Sequence, residues 1–137
     1  MKIATWNVNS VNARIEHLVK FIKKDQSDIY LIQELKCINE SFPYQEIEKL
    51  GYISYVEGQK AWNGVAILSK KKLKILNRKL PTFVEDVQSR FLETEIKINK
   101  IKKPIKLFCI YLPNGNPIET EKFDYKIKWM KKFNEYI

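Results

Sequence analysis

The chain has little of what several large protein classes depend on. It contains two cysteines and one histidine, and neither Cys37 nor Cys109 belongs to a zinc-type or Cys-x-x-Cys spacing. This scarcity excludes a disulfide-stapled scaffold and a zinc module as the basis of the fold. No apolar run approaches the roughly 20 residues that span a bilayer, and the N-terminus lacks the layout of a signal peptide. We therefore expect a soluble, cytoplasmic protein with two reduced thiols.

Arginine is also scarce, although the chain is strongly basic. Among 137 residues the only arginines are Arg14, Arg78 and Arg90, yet the formal charge is +9 and the pI is about 9.5, so lysine supplies most of the excess. This excess of positive charge favours a polyanionic partner such as nucleic acid. The 45% hydrophobic and 12% aromatic content excludes a disordered chain and suits one packed domain.

The order of apolar patterns predicts an α/β protein that opens with a βαβ unit. Strands over 2–7 and 28–34 flank a helix over 11–24, for which Ser10 is the predicted cap. A short helix is expected between Pro43 and Gly51. Five strands with short links, which favour antiparallel pairing, and a final amphipathic helix are predicted over 52–57, 64–69, 72–80, 90–98, 105–112 and 119–136. In the strand over 90–98, the mixture of apolar and charged residues predicts one solvated face.

Two of these strands end in polar side chains. The apolar run over 28–34 finishes at the carboxylate of Glu34, and the run over 2–7 finishes at Asn7. A buried carboxylate is unfavourable unless it is paired, hydrogen-bonded or bound to a metal. Taken singly, a strand-end glutamate such as Glu34 is more often a surface or salt-bridged residue, and Asn7 more often satisfies backbone groups in a turn. Tyr111 is compatible with a core aromatic. Together, the two strand ends suggest a polar site at one edge of a sheet.

Six segments, in this order and spacing, resemble the exodeoxyribonuclease III family of DNA repair nucleases. That family lies within the DNase I-like endonuclease/exonuclease/phosphatase superfamily. The segments are Ile-Ala-Thr-Trp-Asn-Val-Asn-Ser at 3–10, Leu-Ile-Gln-Glu-Leu-Lys at 31–36, Gly-Tyr at 51–52, Gly-Gln-Lys at 58–60, Asn-Gly-Val-Ala-Ile-Leu-Ser at 63–69 and Tyr-Leu-Pro-Asn-Gly at 111–115. The resemblance implies a four-layer α/β sandwich, of which this chain supplies roughly the first half as one mostly antiparallel sheet with flanking helices.

The same resemblance implies a metal and phosphate site. Glu34 corresponds to the family's principal Mg²⁺ carboxylate, and Asn7 and Asn9 correspond to residues near that metal, with Mn²⁺ as the alternative ion. Such hard cations prefer carboxylate, amide and water oxygens. Tyr111 corresponds to the active-site tyrosine that contacts the phosphate.

Three further residues are predicted to contact DNA. Lys60 and Asn114 lie in matching loop segments, and Arg90 opens a predicted strand. For Lys60 a solvated basic loop is an equal alternative. For Arg90 the favoured alternative is structural, a pair with an acid in the core. The partner implied by the resemblance is duplex DNA with abasic sites or 3′ ends.

The family's later site residues have no counterpart here. The resemblance therefore implies an N-terminal portion of one domain over 1–137, truncated before a Gly-Asp-x-Asn segment that carries the general base or acid. General acid–base help is worth roughly 10²- to 10⁴-fold in rate. We accordingly expect the 137-residue chain to be inactive alone. We also expect the second sheet to be largely absent, which would leave the first sheet exposed and prone to self-association, although full-length relatives are expected to be monomers.

Two other functions stay open at this point. One is a phosphoesterase of the same superfamily that acts on an inositol phosphate or a phospholipid headgroup. The other is a non-catalytic remnant that binds DNA or a partner subunit through its basic surface.

Overall fold

Seven strands form two sheets in the computed structural model, which describes residues 1–99 and 101–137. Sheet 1 has the order β1-β2-β4-β3 and sheet 2 has the order β5-β6-β7. The strands, in chain order, are β1 (Ile3–Asn7), β2 (Ile29–Gln33), β3 (Ile53–Glu57), β4 (Val65–Ser69), β5 (Lys74–Asn77), β6 (Phe91–Ile96) and β7 (Ile105–Ile110). The helices are α1 (Ile15–Asp25), α2 (Tyr44–Glu48) and α3 (Glu121–Tyr136), with one-turn 3-10 helices at Asn39–Ser41 and Pro81–Phe83.

Three apolar layers hold the four structural layers together. One lies between sheet 1 and the helices α1 and α2, and is centred on residues such as Leu18 and Ile32. The second lies between the two sheets and includes Ile67 and Leu92. The third joins sheet 2 to α3, where Trp129 is the most buried side chain. This arrangement confirms the predicted four-layer α/β sandwich.

The expectation of a single sheet was wrong. Strand β4 pairs with β2 on one side and with β3 on the other, so no edge of β4 is left for the strands that follow it. The chain crosses after Ser69, and β5, β6 and β7 form a second antiparallel sheet that packs on the apolar inner face of sheet 1. The second sheet is therefore partly present, and most of sheet 1 is covered.

The predicted solvated face of β6 was also wrong. Phe91, Leu92, Glu93 and Thr94 are all buried, because one face of β6 packs on sheet 1 and the other lies beneath α3. The buried Glu93 carboxylate accepts a hydrogen bond from the Tyr136 hydroxyl of α3 at 2.6 Å. A charge on β6 was thus compatible with burial because Tyr136 of α3, Asn77 of β5 and the cation of Lys106 on β7 are partners for Glu93.

The βαβ opening is confirmed, but its helix starts later than predicted. Strands β1 and β2 are parallel and α1 connects them. Helix α1 begins at Ile15, whereas the sequence predicted a start at residue 11. The amides of Val8, Ser10 and Val11 donate to the carbonyls of Gln33, Glu34 and Leu35, so this segment keeps running beside the end of β2. Among the described residues, no helix has the length and apolarity needed to cross a membrane.

The fold brings three strand ends to one place. Parallel pairing sets Asn7 of β1 beside Gln33 of β2, so that Glu34 follows at the same edge of sheet 1, namely the one where the C-terminal ends of β1 and β2 lie. Strand β7 crosses over β2, since the Cys109 thiol donates to the Ile32 carbonyl at 3.4 Å. The residue after β7, Tyr111, therefore reaches the same edge from the second sheet.

Candidate active site

The Glu34 carboxylate is the centre of the cluster at this edge. Its Oε1 accepts hydrogen bonds from Asn7 Nδ2 at 2.8 Å and from the Tyr111 hydroxyl at 2.5 Å. Its Oε2 lies 3.3 Å from Lys36 Nζ, and the side chain is 18% exposed. The structure thus brings Glu34, Asn7 and Tyr111 together from β2, β1 and β7, although 77 residues separate Glu34 from Tyr111 in sequence.

Left-handed backbone conformations surround this carboxylate. Glu34 has φ of 57° and Lys36 has φ of 53°, while Asn9 and Ser10 have φ of 46° and 83°. Each such non-glycine residue costs of order 1–3 kcal/mol and persists only where the surroundings fix it, as at many functional sites. Here the fixing bonds include the Ser10 amide, which donates to the Glu34 carbonyl at 2.8 Å, and the Lys36 amide, which donates to the Asn63 carbonyl at 3.0 Å.

The hydrogen bonds keep Glu34 ionised and Tyr111 protonated. Burial alone would raise the pKa of Glu34, but the donors on Asn7, Tyr111 and Lys36 outweigh it and hold that pKa below its usual value. The pKa of Tyr111 is raised by burial and by its bond to the Glu34 carboxylate. The site therefore presents a carboxylate beside a hydroxyl that can donate a hydrogen bond.

Asn9 is connected to Glu34 through the side chains of Asn7 and Lys36. The backbone amide of Asn9 donates to Asn7 Oδ1 at 3.1 Å, and Asn9 Oδ1 accepts a hydrogen bond from Lys36 Nζ at 2.5 Å. The sequence reasoning missed Lys36, which links Asn9 to Glu34. The available signal was the position of Lys36 two residues after Glu34 in a matching segment. The role of Asn9 as a metal-site residue stays a prediction.

Arg90 lies against Tyr111. Its guanidinium carbon is 4.8 Å from the Tyr111 ring centre and 5.8 Å from that of Tyr125, a geometry suited to cation–π attraction. Its Nη1 donates to the Tyr111 carbonyl at 3.1 Å, and its Nε donates to Gln88 Oε1 at 2.7 Å. These contacts are structural, but they are made with a carbonyl, an amide and two aromatic rings and not with the core acid that was predicted as the structural alternative; contact with DNA stays a prediction. Gln88 was missed because nothing in its local sequence marks it.

A cleft of about 640 Å³ opens beside Tyr111. Its walls include Arg90, Asn114, Lys122 and Trp62, and the Trp62 side chain is 68% exposed. Lys60 is exposed in the same loop as Trp62 but does not line the cleft. Of the three predicted DNA contacts, the structure thus places Arg90 and Asn114 in one cleft and leaves Lys60 on the neighbouring surface.

The donor set fits a weakly held hard cation. Within residues 1–99 and 101–137, no group of three or more His, Cys, Asp or Glu side chains is placed to hold a metal ion. Mg²⁺ commonly uses only one or two carboxylates and completes its coordination with water and substrate phosphates. Glu34 and the Asn7 amide oxygen, which also accepts the Asn9 backbone amide, supply ligands of that kind.

Comparisons with known proteins agree with this geometry. A model of the Endonuclease/Exonuclease/phosphatase family matches residues 4–108. Exodeoxyribonuclease III of Haemophilus influenzae is 36% identical over 142 residues, which cover 100% of this chain and 51% of that protein. Among solved structures, the 3′ phosphatase NExo from Neisseria, bound to a product DNA hairpin, matches with a TM-score of 0.91 and 32% identity over 99% of this chain and 51% of that one.

An AP endonuclease from Archaeoglobus fulgidus gives a TM-score of 0.88 at 32% identity, over 99% of this chain and 50% of that one. The chain therefore spans about half the length of the relatives that it matches. The matched family region covers strands β2 to β6 and most of β1 and β7, and it contains Asn7 and Glu34. By sequence and by fold, the chain belongs to the Endonuclease/Exonuclease/phosphatase family.

Proposed function

We propose that this chain provides the metal- and phosphate-binding half of a Mg²⁺-dependent DNA repair phosphodiesterase. The proposed reaction is hydrolysis of a phosphodiester bond in duplex DNA, 5′ to an abasic site or at a 3′ end. The supporting observation is the Glu34 carboxylate, which accepts hydrogen bonds from Asn7 and from Tyr111, a residue that lines the open cleft. The names of the relatives, a nuclease, a 3′ phosphatase and an AP endonuclease, support a DNA substrate.

Each residue of the cluster has a definite chemical task in this proposal. Glu34 and the Asn7 oxygen would hold the cation, which, when bound, polarises the scissile phosphate and stabilises charge on the leaving oxygen. The Tyr111 hydroxyl is protonated and can turn from Glu34 to a phosphate oxygen as a hydrogen-bond donor. Arg90 keeps the Tyr111 ring in place through its stacked guanidinium and its bond to the Tyr111 carbonyl.

The 137-residue chain alone is proposed to be inactive. Around Glu34 the described side chains are donors, namely Asn7, Tyr111 and Lys36, and none of the three is suited to take a proton from water at neutral pH. A second carboxylate is needed both as a base and as a further ligand for the cation. We also propose, from the sequence alone, that the protein acts in the cytoplasm.

The test joins this chain to the half of Haemophilus influenzae exodeoxyribonuclease III that it does not match. The resulting chimera and the 137-residue chain are each assayed on a duplex with one stable abasic-site analogue. We expect the chimera to nick the duplex in Mg²⁺, the nick to disappear with EDTA, and the chain alone to leave the duplex intact. Inositol phosphate and phospholipid substrates serve as the comparison for the other superfamily activities.

Three outcomes would contradict the proposal. If the chimera is folded, as cooperative unfolding would show, and still leaves the DNA intact, the proposed function is wrong. Preferential hydrolysis of an inositol phosphate changes the substrate class. EDTA-sensitive nicking by the 137-residue chain alone disproves the missing-base argument.

A further inference from the structure

The segment that joins the 3-10 helix at Pro81–Phe83 to β6 has a carboxylate on its inner side. Asp86 is half-buried, whereas Val84 and Val87 on either side of it are 67% and 83% exposed. Valine is usually the buried residue and aspartate the exposed one. The Asp86 amide donates to the Phe83 carbonyl at 3.1 Å, which fixes the turn. The segment is thus folded so that the carboxylate, and not the apolar side chains, contacts the protein.

The two oxygens of Asp86 have different partners, and both partners contact Arg90. Oδ2 accepts a hydrogen bond from the Tyr125 hydroxyl at 2.8 Å, and Oδ1 accepts one from the Gln88 backbone amide at 3.0 Å. The Tyr125 ring centre lies 5.8 Å from the Arg90 guanidinium carbon. The Gln88 side-chain oxygen accepts from Arg90 Nε at 2.7 Å. One carboxylate therefore fixes two of the groups that hold this guanidinium.

The Arg90 guanidinium keeps one nitrogen without a hydrogen bond. Its Nε and Nη1 donate to Gln88 and to the Tyr111 carbonyl, whereas Nη2 has no hydrogen-bond partner along the part of the chain that the structure describes. Arg90 also forms no ion pair with a described carboxylate, although it lines the cleft of about 640 Å³. A guanidinium is charged at neutral pH and binds phosphate oxygens well. The cleft thus presents a cation that suits an anionic ligand.

We propose that Asp86 is a positioning residue, which holds the Arg90 guanidinium in place to bind a backbone phosphate of a DNA strand in the cleft. It acts through the Tyr125 hydroxyl and the Gln88 amide. The identity of the ligand rests on the proposed function. Asp86 itself is not a catalytic residue, because its oxygens are bonded to protein groups and not to the Glu34 cluster.

The sign of the effect on DNA binding distinguishes this role from an effect of charge. Removal of a negative charge near a polyanion strengthens binding when charge alone acts. The positioning role predicts the opposite result for Asp86. The matched control is Glu85, which precedes Asp86, carries the same charge, is 62% exposed and pairs with Lys128 at 3.5 Å.

The first measurement is binding of the 137-residue chain to duplex DNA over a series of salt concentrations. Asp86→Ala should weaken binding and lower the slope of log affinity against log salt by about 0.9, the value for one phosphate contact in B-DNA. Arg90→Ala should lower the slope equally, and the double variant should lower it no further, because the two residues act through one contact. Glu85→Ala should neither weaken binding nor change the slope.

The second measurement observes Arg90 directly by NMR. The chain has three arginines, so the side-chain Nε–H groups give three signals, and Arg90→Lys identifies that of Arg90. We expect this signal to exchange slowly with water, since Nε is bonded to Gln88, and to shift when duplex DNA is added. Asp86→Ala should speed the exchange and abolish the shift.

Two further variants separate positioning from folding. Asp86→Asn should restore the slow exchange and the shift, because its amide can accept from the Gln88 amide and donate to the Tyr125 oxygen. Tyr125→Phe keeps the ring beside Arg90 and loses only the hydroxyl, so it should speed the exchange without unfolding the chain. Thermal unfolding of each variant checks the fold, and Tyr125→Phe decides the matter if Asp86→Ala does not fold.

The results also separate this proposal from the proposed function. An Arg90 signal unchanged in Asp86→Ala and in Tyr125→Phe, an equal slope change in Glu85→Ala, or additive slopes in the double variant would each overturn the positioning role. Duplex DNA that leaves the Arg90 signal unmoved overturns the phosphate contact. If the Arg90 signal responds as expected while the chimera leaves abasic DNA intact, the nuclease function is wrong and the positioning role stands. A chimera that nicks DNA equally well with Asp86→Ala has the opposite meaning.

Discussion

Two carboxylates near the opposite ends of β2, Asp25 and Glu34, are each bonded to a tyrosine hydroxyl and paired with a lysine. Asp25, at the end of α1, accepts hydrogen bonds from the Tyr30 hydroxyl at 3.0 Å and from Lys2 Nζ at 2.6 Å, and Glu34 is bonded to Tyr111 and paired with Lys36. Their side chains are 19% and 18% exposed. Neither the type of partner nor the degree of burial distinguishes them.

The two sites differ in how their partners are assembled. The bonding partners of Asp25 are Lys2, Ser27 and Tyr30, so residues 2–30, which lie in one sheet and its connecting helix, complete the cluster. Glu34 depends on Asn7 and Tyr111, which come from two different sheets; it has a left-handed backbone, and Tyr111 lines the open cleft. The comparison shows that assembly from two sheets, backbone strain and a neighbouring cleft mark a candidate active site where residue types and burial do not.

The largest expected effect is that of neutralising the two carboxylates in the chimera described above. Glu34→Gln should lower Mg²⁺-dependent nicking by at least about 10²-fold, because the cation loses its charged ligand. Asp25→Asn should leave the nicking rate per folded molecule unchanged and lower the midpoint of thermal unfolding. Steady-state nicking and calorimetry measure the two quantities. Equal losses of activity would show that the two clusters do not differ in function.

The tyrosine partners give the next contrast. Tyr111→Phe should lower nicking by at least about tenfold, since the hydroxyl that bonds Glu34, and that we propose to contact the phosphate, is lost. Tyr30→Phe should leave nicking unchanged and lower the free energy of unfolding by about 0.5–1.5 kcal/mol, because the Ser27 amide loses the nearer of its two acceptors and Asp25 loses a donor. Urea unfolding of the 137-residue chain measures the second effect. A large loss of stability in Tyr111→Phe would instead assign that hydroxyl to the core.

Glu93 provides a pH-dependent comparison in sheet 2. Burial acts to raise its pKa, but hydrogen bonds from Tyr136 and Asn77 and the cation of Lys106 at 3.1 Å hold it below the usual 4.5. The folded state therefore binds fewer protons than the unfolded state, and this contribution is present above about pH 4.5 and lost as the pH falls through the lowered pKa.

Glu93→Gln should accordingly lower the free energy of unfolding by about 1–3 kcal/mol at pH 7 and make it less dependent on pH below 4.5. Urea unfolding between pH 3 and pH 7 measures both quantities. Glu95→Gln is the control, because Glu95 lies on the same strand and pairs with the exposed Lys74. If Glu93→Gln keeps the pH dependence of the unchanged chain, the carboxylate does not contribute in the way described.

Lys36 should have the smallest effect. Its ion pair with Glu34 is partly solvated, and such pairs contribute about 0–1 kcal/mol. Lys36→Gln in the chimera should therefore shift the half-saturating Mg²⁺ concentration by less than about fivefold. A Mg²⁺ titration of the nicking rate measures the shift. A much larger one would mean that Lys36 contacts the phosphate.

Much of the fold could be predicted because its signals are local. Continuous apolar runs marked β1 and β2, and Pro43 and Gly51 bracketed α2. The start of α1 and the burial of β6 could not be predicted, since each depends on a distant segment. The end of β2 keeps residues 8–11 out of the helix, and α3 covers the charged face of β6.

The candidate site likewise contains residues that could be predicted from the sequence and residues that could not. Glu34 and Asn7 were marked by their positions at the ends of apolar strands, and Tyr111 by the resemblance of its segment. Lys36, Gln88 and the stacking of Arg90 between two tyrosine rings were not foreseen. These contacts join segments that are distant in sequence, and no periodicity within one segment records them.

The sequence by itself determined the α/β class, the family and the strand ends that carry Glu34 and Asn7, because strand burial and turn chemistry are properties of short segments. The tertiary structure alone decided that β5 to β7 form a second sheet, that Tyr111 reaches Glu34 across 77 residues, and that Ile3 of β1 stays 42% exposed. The physical reason is that β4 has both edges occupied by β2 and β3. The later strands therefore stack on sheet 1 instead of extending it, and β7 contacts β2 and β4.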